Sequence, residues 1–170
     1  MSVRDVFRSL VPIVILDWNR RRKKTQVRNA LAHKKNTGAV WTKERLVDSL
    51  RSAGVQYGVD LLVHSAMSRI GYVEGGPKTV VDALREVIGP EANLLMPTSP
   101  VTTLQAEHPQ EVFSVLETPS KMGAITEYFR SNIATERSAH PLEPVAVDGP
   151  DAEWYTRGHH TDGTPYGPQR

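Results

Sequence analysis

Cysteine is absent from the 170 residues. Disulfides and thiolate zinc sites are therefore excluded, and a reducing compartment is compatible. Long apolar runs are missing too. The longest, Leu10 to Leu16, is seven residues and contains Pro12, far short of the ~20 a bilayer span needs, and no signal peptide is evident. There is no Gly-x-Gly-x-x-Gly, no Gly-Lys-Ser/Thr and no Gly-x-Ser-x-Gly. Those gaps remove the dinucleotide-fold, phosphate-loop and hydrolase-elbow readings.

What is present fits one domain of ordinary size, with 39% apolar residues to build a core. Its charge is unevenly spread. Residues 1–45 hold 12 Lys and Arg against three acids, and residues 46–170 hold 9 against 16. An acidic body suits a cationic substrate better than nucleic acid. The basic part reads as a separate piece, residues 1–40. There Val3, Val6, Phe7, Leu10, Val11, Val14 and Ile15 recur at helical spacing, and Trp18 and Arg20–Lys24 follow. Such a stripe can lie on an anionic membrane surface, with contact expected through residues 1–28. The alternative is a helix packed on the body or on a second subunit. A basic run without interleaved aromatics is not a nucleic-acid reading surface.

The body, 41–170, alternates strand and helix signals. Thr42 is placed to cap a helix through Ser52, ended by Ala53-Gly54. A strand is expected over Val59–His64, a helix from Pro77 to the Gly89-Pro90 stop, and a strand over Asn93–Met96. Residues 97–120 are rich in Pro, Thr and Ser and read as a long loop. Met122–Arg130 predicts a helix, Pro144–Val147 a strand and Asp151–Tyr155 a short helix. The alternation argues for a layered α/β sheet.

Chemistry-bearing residues cluster at strand ends: His64, Ser65 and Ser68, then Pro97-Thr98-Ser99, then Arg137-Ser138-Ala139-His140-Pro141. Hydroxyls and glycines after a strand and before a helix are where α/β proteins gather donors for anionic ligands. Arg137 can pair with a phosphate or carboxylate, and Ser138 can add a hydroxyl. His140 can accept a proton, orient a substrate, or fix the turn before Pro141. For His64 a backbone hydrogen bond competes with catalysis. His159-His160 with Asp162 has the look of a metal clip, but adjacent histidines in an extended loop point apart, and no metal is expected.

The ordered segments resemble the aminoglycoside 3-N-acetyltransferase family. They run from Gly58–Ser65 through Ser68-x-Ile70-Gly71 and Gly75-Gly76 to Thr79–Leu84, Gly89-Pro90 and Leu95-Met96-Pro97-Thr98. Thr118–Gly123 with Ile125, Arg137-Ser138-x-His140-Pro141 and Thr164-Pro165-Tyr166-Gly167 complete the set, about residues 42–168. The resemblance implies a layered α/β/α sheet of the antibiotic N-acetyltransferase type. It also implies acetyl transfer from acetyl-CoA to an amino group of an aminoglycoside or amino sugar; the expected location is the cytoplasm, and the basic extension suits the inner face of the membrane. Ser65, Ser68, Thr98, Arg137 and Ser138 are the implied coenzyme contacts, and Thr98 and His140 are placed near the thioester, His140 as the candidate catalytic group.

Departures go with it. Ala66 replaces a common second serine, and Ala92-Asn93 stands where Gly-Thr is usual. The family continues beyond the matching segments, into the part carrying the His-x-x-Glu pair to which base catalysis is attributed. His108 and Glu111 have that spacing but stand in the Pro-rich loop. The expectation is therefore an N-terminal portion of the fold, truncated at its C-terminal side, inactive in acetyl transfer as a short chain and exposing an unpaired sheet edge. The alternative is a non-catalytic remnant or binding protein retaining part of a coenzyme A cleft. Acceptor and oligomeric state are not legible.

Overall fold

The computed structural model describes Arg22, Thr25, Gln26, residues 40–100 and residues 113–161. The chain divides into two compact units, Met1–Val40 and Trp41–Arg170. In the first, Arg22, Thr25 and Gln26 are helical, and the expected membrane-facing stripe otherwise lies outside the described residues. So do His108, Glu111, Asp162 and Thr164–Gly167. Among the described residues no helix is long and apolar enough to cross a membrane.

The second unit is built where the sequence signals are strongest. Helix α1, Lys43–Ser52, starts at Thr42, whose hydroxyl accepts from Arg45 N. It buries Leu46 and Val47 and ends at Ala53. Strand β1 is only Leu61–Leu62, shorter than the expected Val59–His64. Its pairing nonetheless continues through Val63 N–H to Leu95 O at 2.9 Å. The four-residue helix α2, Met67–Ile70, sits in the following loop.

Helix α3, Pro77–Ile88, carries proline in its first turn, where the missing N–H has no helical partner to lose. It buries Val80, Val81, Ala83, Leu84, Val87 and Ile88. Gly89 then takes φ +79° against the Tyr57 ring, and a Cβ there would meet the ring at 2.3 Å.

Strand β2, Leu94–Pro97, alternates as a sheet residue should, with Leu94 and Met96 fully buried. Helix α4 is Ala124–Asn132, with Ile125 and Phe129 in the core. Strand β3, Glu136–Arg137, was not legible, because Thr135-Glu136-Arg137 carries no apolar run. Strand β4 is Val145–Asp148, helix α5 is Ala152–Thr156, and a 3-10 turn covers His159–Thr161.

The sheet order is β1-β2-β4-β3. Only β1 and β2 are parallel; β4 runs antiparallel to β2, and β3 to β4. The layered α/β reading holds, as a mixed sheet. Leu94, Met96 and Ala146 lie in one apolar cluster with residues of α1, α3 and α4. Val147 and Ala152 are buried outside that cluster, and α5 packs on β4 and β3. Among the described residues β1 is paired in the sheet on one side only. Leu62 there is 55% exposed.

These pairings put the ends of β1 and β2, the start of β4 and the end of β3 at one end of the sheet. Pro97 faces Val145, and Arg137 faces Ala146.

Candidate functional site

At that end, Ser65 follows β1 with its hydroxyl oxygen buried and, among the described residues, without a hydrogen-bond partner. A buried hydroxyl left unmade costs about 1–3 kcal/mol, so this atom marks a place where a partner is wanted. The start of α4 stands beside it. Gly123 holds φ +142° there, and a Cβ on it would lie 4.0 Å from Ser65 O. No side chain caps α4, so its first-turn amides and dipole favour a negative group. Its approach is tied down from below. Lys121 N–H donates to Ser99 O at 2.9 Å, and Ser120 N–H donates to Glu127 Oε2 at 2.7 Å.

Glu127 is in turn gripped by Arg130 through Nε and Nη2. That bond holds its carboxyl below the usual range despite partial burial.

Arg137, at the end of β3, is 9% exposed. Its Nε donates to Thr98 Oγ1 at 3.0 Å and its Nη2 to Thr98 O at 2.8 Å. Nη1 donates to Val115 O and Thr118 O at 2.9 and 2.7 Å, and the Phe113 ring lies 4.9 Å away. All these acceptors are neutral. Burial, assisted by Arg130 and opposed by Glu127, pushes the guanidinium down to about 10. Among the described residues the guanidinium's hydrogen bonds go to carbonyls and a hydroxyl, with Glu127 acting on it only through space, so positive charge is kept at this end of the sheet.

The predicted residues separate into two groups. Thr98, Arg137, Ser138 and His140 come together, and all four are buried. Their polar atoms are largely occupied. Thr98 Oγ1 donates to Pro144 O at 3.0 Å, and Ser138 Oγ accepts from Val145 N–H at 2.9 Å. As found here, Thr98, Arg137 and Ser138 build the wall, with their side chains turned to protein partners. Ser65 sits beside α4 with its hydroxyl available. Ser68 is exposed on α2, and His64 is exposed as well.

His140 Nδ1 accepts from Leu142 N–H at 3.3 Å and Glu143 N–H at 2.9 Å. It fixes the turn that leads into Pro144, and its neutral ring carries its proton on Nε2. That arrangement makes Nδ1 unavailable as a base. His140 and Glu143 also have His-x-x-Glu spacing, which the reading of the sequence passed over. What meets the ring at hydrogen-bond distance is the Glu143 backbone amide.

Sequence reasoning predicted helix α4 over Met122–Arg130 but did not single out its start at Gly123-Ala124 as part of the site. It missed His159 as a partner of the wall as well. His159 Nδ1 lies 2.7 Å from Ser138 Oγ, and its ring stacks on His140 with centroids 4.8 Å apart. Among the described residues no group of three or more His, Asp or Glu could hold a metal ion.

Together, fold and site define a mixed α/β protein whose strand ends gather donors and positive charge around the buried Ser65 hydroxyl. The chain belongs to the aminoglycoside 3-N-acetyltransferase family, whose model matches residues 62–169. It is 32% identical over 150 residues to aminoglycoside N(3)-acetyltransferase VII of Streptomyces paromomycinus, covering 79% of this chain and 51% of that protein.

Among solved structures, AAC-IIIb in binary complex with CoASH superposes with a TM-score of 0.63 at 26% identity, over 76% of this chain and 55% of that one. Sisomicin-bound AAC-VIa gives 0.64 at 32% identity, over 75% and 53%. The chain spans about half the length of the curated relatives it matches.

Proposed function

We propose that residues 41–170 form the coenzyme A wall of an N-acetyltransferase that transfers acetyl from acetyl-CoA to an amino group of an aminoglycoside or amino sugar. The observation carrying this reading is that the family match, 62–169, runs through the residues that build the donor-rich end of the sheet. The residues fit an anionic coenzyme on their own chemistry. Ser65 Oγ is buried without a partner, α4 begins beside it without a side-chain cap, and Arg137 adds a buried positive charge.

Acetyl-CoA would supply the activated acyl group. Ser65 and Ser68 are assigned to direct contact with the coenzyme. Thr98, Arg137 and Ser138 hold the shape and potential of the wall. His140, with Nδ1 committed to the turn, is assigned to hydrogen-bond donation near the thioester rather than to proton abstraction. An amine acceptor also needs a base, and these residues do not provide one. The 170-residue chain is therefore expected to bind coenzyme and not to turn it over.

Calorimetric titration with coenzyme A, run beside a thioester-release assay with acetyl-CoA and sisomicin or gentamicin, tests both halves. Saturable binding that weakens with salt is expected, without release. Absence of binding overturns the coenzyme assignment, and acceptor-dependent release overturns the expected inactivity.

A further inference from the structure

We infer that His159 is a positioning residue for this wall, fixing the Ser138 hydroxyl and the His140 ring in one arrangement; in its effect on binding, the inference rests on the coenzyme reading above. The proton bookkeeping carries it. Ser138 Oγ accepts from Val145 N–H, and with Ser138 1% exposed its hydrogen finds its acceptor, among the described residues, in His159 Nδ1 at 2.7 Å. Neutral His159 then carries its proton on Nε2. His140 is held in the same tautomer by a different pair of bonds, its Nδ1 accepting from Leu142 and Glu143 N–H. Two rings of fixed tautomer stack at 4.8 Å with their planes 28° apart.

The strands do not require this contact. Around Ser138 the backbone pairs independently of His159, through Thr135 N–H to Val147 O and Ser138 N–H to Val145 O. His159 arrives from a separate turn, 21 residues further along the chain, held by Thr161 N–H to Gly158 O. Its ring meets the two side chains of the Arg137–Pro141 segment that a ligand would sense. Ser138 is 1% exposed and His140 8%, so the hydroxyl hydrogen has no bulk water to turn to when the imidazole is removed. Loss of the acceptor leaves that donor buried, and loss of the ring frees one face of His140.

Two substitutions separate the contributions. His159→Phe keeps a ring and removes the acceptor, while His159→Asn keeps a short acceptor and removes the ring. Nitrogen and proton NMR of the full chain reads the His140 tautomer and its titration, and calorimetry reads coenzyme A affinity. The expectation for His159→Phe is affinity weakened about tenfold, the scale of an orphaned buried hydroxyl, with the His140 resonances displaced. His159→Asn is expected to recover binding to within about threefold, with a displaced His140 ring-proton signal that reports the lost stacking.

Unchanged affinity and unchanged His140 signals in His159→Phe overturn the inference. If the unsubstituted chain does not bind coenzyme A, the coenzyme reading fails. Positioning is then judged by NMR alone: a moved His140 titration in His159→Phe supports it and an unmoved one overturns it. Should both variants fail to fold, the native chain decides. A single Nε2–H tautomer at both rings supports the inference, and averaged tautomers overturn it.

Discussion

The two ends of the sheet are both polar, yet they are finished differently. At the end where β2 and β1 begin, every prominent polar group has found another. Asp60 Oδ1 accepts from Asn93 N–H and Nδ2, and Asp60 Oδ2 accepts from Tyr155 OH at 2.5 Å. Asn93 Oδ1 accepts from Asp151 N–H, and its Nδ2 reaches Asp151 as well. Gly149 allows the approach, since a Cβ there would lie 2.4 Å from Asn93 Oδ1.

A cavity of about 530 Å³ opens at this end, lined in part by Arg85, Pro90, Leu94 and Asp148. Its charges are paired, Arg85 Nε with Asp148 at 2.7 Å and Glu86 with Lys43 at 2.6 Å. At the other end Ser65 is left without a partner, and Arg137 has carbonyls in place of a carboxylate. Among the described residues this cavity lies at one end and the unsatisfied hydroxyl at the other. The second signal is the better guide, because a closed network has nothing left to offer a ligand.

That contrast can be broken by substitution. The largest effect is expected for Arg137→Met, which strands the carbonyls of Thr98, Val115 and Thr118. A loss on the order of 3 kcal/mol in urea denaturation is expected, together with loss of coenzyme A binding. Next comes Asn93→Ala, expected to cost about 2 kcal/mol while leaving coenzyme affinity of the folded protein unchanged. A matching loss of affinity would show that the two ends are not independent.

Tyr155→Phe is smaller, about 1 kcal/mol near neutral pH once solvent screening is allowed for, and it has a pH signature. The bond to Asp60, with burial adding to it, pushes the Tyr155 hydroxyl up to about 12. Its contribution is therefore whole below the unfolded value of about 10 and is lost as pH rises towards the folded one. At Asp60 burial works upward, but the bonds from Tyr155 and Asn93 outweigh it and the carboxyl lies below its ordinary value. That contribution is present above the ordinary carboxylate range and lost on acidification. Native stability measured against pH should fall on both sides of a plateau, and Tyr155→Phe should flatten the alkaline limb.

Ser65→Ala is expected to cost no stability at all: no bond is lost, and removing a buried hydroxyl without a partner should raise stability by about 1 kcal/mol. Coenzyme A affinity should nevertheless drop about fivefold. Undiminished affinity in this variant would remove Ser65 from the site.

Much of this was legible in the residues. Thr42, Pro77 and Gly89 bounded two helices by local chemistry, and the apolar stripe of α3 gave its buried face. The ordered segments from Gly58 to His140 gave the family and the end of the sheet to inspect. Strand β3 was not legible, because a two-residue polar strand exists only through its pairing with β4. The reading of Arg137 as able to pair with a phosphate or carboxylate left out its protein partners for a related reason. Sequence shows a basic residue but not that Thr98, Val115 and Thr118 turn their acceptors towards it. The His140–Glu143 spacing gives the same lesson in reverse, since the spacing is present and the bond at His140 is to the backbone.

By itself the sequence determined helix limits, the apolar faces and the residue types available at the strand ends, all of which follow from local geometry and periodicity. Tertiary structure alone decided which hydroxyl is left without a partner, which cation is buried without a carboxylate, and that His159 meets Ser138 across 21 residues. Hydrogen-bond satisfaction and burial depend on contacts between segments distant in the chain, and those exist only once the sheet has closed its order.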